Sequence, residues 1–133
     1  MMTITPQPGI MDISLYQGGK ATISGVSGVV KLSSTENLYG PSRRASDAVR
    51  QAAGQLHLYP NTDHQGLRDA IAGTHKLKAS QVICGVGSDE VISLICYAFA
   101  GPGDEVLYTE HGFGMYKISA VAAGATPVVA SER

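Results

Sequence analysis

The sequence predicts an α/β fold built on a parallel sheet, and three observations carry that prediction. From Ala79 onward, short apolar runs alternate with helix-period segments in the order β-α-β-α-β. The turns between them are short and glycine-rich, which suits right-handed crossovers. The composition is that of an ordinary folded domain: 133 residues, 44% hydrophobic and 16% charged, without an internal repeat or a low-complexity tract.

Taken in order, residues 1–31 carry Pro6, Pro8 and scattered glycines, show no sustained period, and read as an extended N-terminal arm. "VVKLSS" at 29–34 reads as a short strand, and Gly40-Pro41 as a turn. A helix begins after Ser42, which is placed to cap it. Its Ala45, Ala48, Val49 and Ala52 share one face, and Gly54 is the expected stop. "LHLYPNTDHQ" is a loop. "HQGLRDAIAGTHKL" is a second helix, with Leu67, Ala70 and Ile71 expected inward and Gly73 near its end.

"QVICGVG" reads as an apolar strand that ends in glycines. Residues 88–100 form a helix that is apolar on nearly every side, so it is expected to be largely buried. "GPGDEVLYT" is a turn and a strand. A helix over 113–123, Gly124 and the strand "TPVVA" follow. Three strands and a helix that needs cover on most sides point to the front part of a larger domain over 32–133. The alternative is a small complete α/β unit.

Charge and cysteine usage narrow the function classes. A net charge of −1 gives no reason to expect a nucleic-acid partner. No apolar run reaches the roughly 18 residues of a membrane span. The opening "MMTITPQPGIMD" has neither a basic nor an apolar leader region, so the cytoplasm is the expected location. Cys84 and Cys96 lie in apolar runs, outside C-x-x-C spacing and without a nearby histidine. They are expected to be reduced and buried rather than zinc ligands.

The chemistry concentrates at "GVGSDE", residues 85–90. A dinucleotide fingerprint needs G-x-G-x-x-G; Gly85 and Gly87 fit, but Glu90 holds the third glycine position. The G-K-S or G-K-T of a P-loop is missing. The turn still suits an anion, because a strand ends, glycines turn the chain, and a helix opens with free N–H groups and the positive end of its dipole. The bland alternative is that Ser88 merely caps the helix while Asp89 and Glu90 complement the dipole. Spacing alone leaves both readings open.

Other segments, read together with this one, shift that balance. "KLSSTENLYGPS", "LYPNTDHQGLRDAIA", "VICGVGSDEVISLICYAFAGPGDEVL" and "TEHGFGMYKISA" follow one another in this order. Together, from about Ile13 onward, they resemble the front part of the histidinol-phosphate aminotransferases, class II aminotransferases of the fold-type I pyridoxal-phosphate family. The resemblance implies a three-layer α-β-α large domain, incomplete in these residues. It implies pyridoxal 5'-phosphate as cofactor, a homodimer, and amino-group transfer between L-histidinol phosphate and 2-oxoglutarate in histidine synthesis. By resemblance, Ser88 and Asp89, after Gly87, hold the cofactor phosphate through their N–H groups. Phe113 stacks on the pyridine ring. Tyr59 reaches across the dimer to the partner's cofactor phosphate. Tyr16 and Asn37 lie on the substrate side, with Tyr39 near the substrate entrance.

The chain departs from the family pattern at Thr35, where asparagine is usual, at Leu38, where proline is usual, and at Gly114, where a larger residue is common. These departures bear on the substrate side and leave the phosphate turn intact. The family's Schiff-base lysine, ring-nitrogen aspartate, ring-oxygen asparagine and tyrosine, and carboxylate-binding arginine all come later than residue 133. None of Lys20, Lys31, Lys76, Lys78 or Lys117 lies in an S-K-x-x-G context. No catalytic residue is therefore assigned, and the 133 residues alone are expected to be inactive. The competing readings are a non-catalytic remnant or complementation fragment, an aromatic amino acid aminotransferase, and an independent anion-binding module.

Overall fold

The computed structural model describes residues 5–20, 22–32 and 34–133. They fall into two compact units. One comprises Gln17–Asp63, the other the described part of Met1–Tyr16 together with His64–Arg133.

In the smaller unit the serine cap forms as expected. Ser42 is extended, and its Oγ accepts from the Ala45 N–H at 3.2 Å. Helix α1 runs Arg43–Ala52 and tightens into a 3-10 turn, Ala53–Gln55, so Gly54 sits inside that turn instead of ending the helix. Nothing in α1 is buried, and Val49 is 71% exposed. The expected strand at 29–34 does not form over its described residues, and Ser33 lies outside them. Its Lys31 instead pairs with Glu36 at 2.8 Å.

The larger unit opens with α2, Gln65–His75. Gly73 lies inside α2. The helix ends at Lys76, which takes the left-handed conformation (φ 56), and the Leu77 N–H reaches back to the Ala72 carbonyl at 2.9 Å. The buried side also differs from expectation. Ala72 is buried and Ile71 half-buried, while Leu67 is 53% exposed and Ala70 is also exposed. Helix α2 packs on the turn Ala79–Gln81, where Arg68 bonds to the Ala79 carbonyl, and i, i+3, i+4 spacing puts Arg68, Ile71 and Ala72 side by side.

Helix α3 runs Gly87–Phe99. Only Cys96 is buried, against the expectation of a largely buried helix; Tyr97 is 59% and Phe99 82% exposed. Among the described residues its cover comes chiefly from the next helix, α4, Met115–Ala122, where Ser93 Oγ meets Ser119 Oγ at 3.1 Å. Strands β1 (Glu105–Thr109) and β2 (Thr126–Ala130) flank α4 in sequence and pair in parallel, Glu105 opposite Thr126 and Thr109 opposite Ala130. This is the β-α-β crossover the sequence predicts. Gly124, at φ 82, makes the left-handed exit from α4.

Of the three strands expected from Ala79 onward, two form. Residues 82–86 are extended at Val82 (φ −115, ψ 126), but among the described residues no strand lies beside them to complete a ladder. The core that results is made of small side chains: Ala72, Cys96, Ser119, Ala120 and Ala125. Ile83, Val86, Leu107 and Phe99 are each more than two-thirds exposed, leaving an apolar face uncovered. No helix among the described residues is long and apolar enough to cross a membrane.

Candidate functional site

The turn at residues 85–90 is built by two glycines and one acid. Gly87 has φ 81, a conformation that side-chain-bearing residues rarely adopt. A Cβ on Gly85 would stand 2.6 Å from Glu90 Oε2 and 3.2 Å from Val91 Cγ2, so a larger residue there would displace the Glu90 carboxylate. The Glu90 carboxylate folds back and accepts from the Val86 N–H at 2.6 Å. Val86, not Ser88, is the residue that precedes the helix, and no side chain of its own caps it. The serine-cap alternative is therefore not what forms.

This arrangement has a direct electrostatic consequence. Glu90 satisfies the N–H before the helix. The first-turn N–H groups of Gly87, Ser88 and Asp89 have no acceptor within the helix itself. They stand at the positive end of a helix of 13 residues, exposed to solvent. A tetrahedral dianion suits such a cluster of donors. The Glu90 carboxylate is held at the Val86 N–H and leaves these three donors to other acceptors.

Phe113 lies four residues beyond the carboxyl end of β1, the end of a parallel sheet where ligands of open α/β folds collect. The chain reaches it through Gly112, where a Cβ would stand 2.9 Å from the Thr109 carbonyl oxygen and 3.0 Å from Thr109 Oγ1. The structure brings Phe113 together with Tyr16: their ring centroids are 5.6 Å apart at 83°. Tyr116 meets Phe113 edge-on from α4 at 6.2 Å and 85°. Two perpendicular contacts hold the ring while leaving it 38% exposed. Beside this cluster a cavity of about 390 Å³ is lined by Asp12, Ile13, Gly114, Lys117, Ile118 and Val121, among others.

Tyr59 and Asn37 belong to the smaller unit. Tyr59 is 99% exposed. Asn37 closes a local turn: its Oδ1 accepts from the Tyr39 N–H at 3.1 Å, and the Gly40 N–H bonds to its carbonyl at 3.1 Å. Thr35, where the family pattern has asparagine, stands at φ 57. Asparagine tolerates that left-handed conformation, whereas a β-branched residue strains in it.

Sequence reasoning missed the bond that Glu90 makes, treating it as the residue that spoils a dinucleotide fingerprint and as a charge that complements the helix dipole. The available signal was its place four residues after Val86, within reach of the N–H that precedes the helix. Both cysteines are free. Cys96 is buried, and burial pushes its thiol pKa up, while Cys84 is half-buried and so less enclosed than expected. Among the described residues, no group of three or more His, Cys, Asp or Glu is gathered to hold a metal.

Comparison with known proteins gives the geometry a lineage. A family model described as "Aminotransferase class I and II" matches residues 27–132. The histidinol-phosphate aminotransferase of Ruegeria sp. (strain TM1040) is 64% identical over 133 residues. That of Paracoccus denitrificans is 63% identical over 131 residues, and that of Dinoroseobacter shibae 59% over 133. The alignments take in 100%, 98% and 100% of this chain, but 37%, 36% and 37% of the relatives. The chain thus spans a little over a third of the length of these relatives. The family match covers well over half of the chain, and the chain belongs to the class I and II aminotransferases.

Proposed function

We propose that these 133 residues supply one wall of the pyridoxal 5'-phosphate site of a histidinol-phosphate aminotransferase. The observation that carries the proposal is the glycine turn, with the first-turn N–H groups of Gly87, Ser88 and Asp89 exposed at a helix start and the Val86 N–H before them held by Glu90. The proposal takes residues 1–31 as an arm and 32–133 as the front of a fold-type I large domain.

When bound, pyridoxal phosphate supplies an electron sink for the charge left as a proton leaves the amino-bearing carbon. This chain's own residues would bind and orient it. The N–H groups of Gly87, Ser88 and Asp89 donate to the phosphate, and Phe113 offers a flat apolar face to the ring. Tyr59 donates its hydroxyl across a homodimer. Tyr16 and Asn37 border the substrate, an amino acid analogue bearing a phosphate. None of the five lysines lies in the family's cofactor-linking context, so no residue here moves the substrate proton.

A chimera tests this. These 133 residues replace the matching first 37% of the Ruegeria relative. The chimera is expected to bind pyridoxal phosphate and to transaminate histidinol phosphate with 2-oxoglutarate, and the 133-residue chain alone to give no turnover. A chimera that folds but binds no cofactor would refute the site. One that turns over only aromatic amino acids would refute the substrate.

A further inference from the structure

The proposed anion turn is anchored by a residue that never touches the anion. We infer that Arg68 is a positioning residue for the turn at 85–89, an inference that rests on the anion-binding reading of that turn. Arg68 lies on α2, and its half-buried guanidinium makes three hydrogen bonds to backbone carbonyls. Nη2 donates to Ala79 at 2.8 Å, and Nε donates to Val82 at 2.9 Å and to Ala79 at 3.2 Å.

Those two carbonyls open the segment that runs straight into the glycine turn. Residues 82–86 have no strand beside them among the described residues, so no ladder fixes their path. Packing holds them weakly as well: Ile83 is 68% and Val86 86% exposed. Besides the Val82 N–H bond to the Ala79 carbonyl at 3.2 Å, side chains tie the two ends. Arg68 grips the start at Ala79 and Val82, and Glu90 grips the end at the Val86 N–H. A planar guanidinium suits the first tie because its fork spans two acceptors in fixed geometry, which an ammonium does not do. Releasing Arg68 frees the segment to swing, and the N–H groups of Gly87, Ser88 and Asp89 then lose their common aim.

The experiment compares the full 133-residue chain with Arg68→Met, Arg68→Lys and, as a packing control on α4, Ser119→Ala. Amide hydrogen exchange is read at Val86 and at the amides of the β1–β2 ladder, and inorganic phosphate is titrated against the amide signals of Gly87, Ser88 and Asp89. Arg68→Met is expected to speed exchange at Val86 about tenfold more than in the ladder and to weaken phosphate about tenfold, as for loss of one charge-assisted bond. Arg68→Lys recovers less than half of either effect, and its exchange pattern decides the question should Arg68→Met not fold. Ser119→Ala lowers overall stability without a selective change at the turn. Equal acceleration at Val86 and in the ladder would make Arg68 a general stabiliser and overturn the inference, as would an unchanged Val86. A wild-type chain whose Gly87–Asp89 signals ignore phosphate sinks the anion reading instead, while the exchange data still judge Arg68.

Discussion

Replacing Gly85 with alanine separates a steric role for that glycine from a merely permissive one. The new Cβ would stand 2.6 Å from Glu90 Oε2 and 3.6 Å from Glu90 Cδ. The far end of a flexible side chain yields first, so the carboxylate swings away and releases the Val86 N–H it holds at 2.6 Å. Val86 is 86% exposed, so water takes over the freed N–H and no full desolvation penalty applies. The loss then falls in the middle of the range for helix caps, about 1 kcal/mol. The Val91 contact at 3.2 Å needs only a shift of a few tenths of an ångström and adds little. Glu90→Ala removes the same bond directly and should also cost about 1 kcal/mol. Because both changes break one interaction, the double variant should be hardly worse than either single one. The assay is urea unfolding of the four proteins as a double-mutant cycle, with an expected coupling of about 1 kcal/mol. Costs that add to within about 0.3 kcal/mol would mean that Gly85 and Glu90 act independently, and would refute the account of the turn.

Thr35→Asn should stabilise the chain by about 1 kcal/mol in urea unfolding, because it relieves a β-branched residue at φ 57. Lys76→Gly should do the same by about 1 kcal/mol, since Lys76 ends α2 at φ 56; a neutral or lower midpoint would refute left-handed strain at either position. Gly112→Ala should destabilise by about 1–3 kcal/mol, because its Cβ would meet the Thr109 carbonyl at 2.9 Å and backbone cannot step aside. It should also broaden the ring signals of Phe113 in NMR spectra. Burial raises the Cys96 thiol, so as pH climbs the unfolded chain loses that proton first. Stability is then full below the ordinary thiol value of about 8.5 and falls above it. Urea midpoints measured from neutral to alkaline pH should drop more steeply in the wild type than in Cys96→Ala.

Much of the fold was legible because it follows local rules. Ser42 capped α1 as its side chain and position predict, and Gly124 closed α4 through a conformation that glycine adopts freely. Strands β1 and β2 came out parallel because a helix separates two apolar runs. The missed features depend on neighbours. The apolar period of α2 pointed to Leu67 and Ala70, yet the side that packs is the one carrying Arg68, whose partners sit 11 and 14 residues away. The run at 82–86 has strand chemistry, but a strand exists only against another strand. At the proposed site, the glycines stood out by residue type and Phe113 through the family resemblance. The contact of Tyr16 with Phe113 joins residues 97 positions apart and has no sequence signal.

By itself the sequence determined the order of elements, the glycine turn, and the family to which the chain belongs, because residue type and spacing set local backbone geometry and carry ancestry. Only the tertiary structure decided that Glu90, rather than Ser88, satisfies the backbone before α3. It alone showed that Arg68 holds the segment leading to the turn, and that Phe113 is fixed by two edge-on tyrosines. Those outcomes turn on which groups come within about 3 Å for a hydrogen bond, or within a ring's width for a contact, once the chain has folded. Spacing along the chain does not encode such distances.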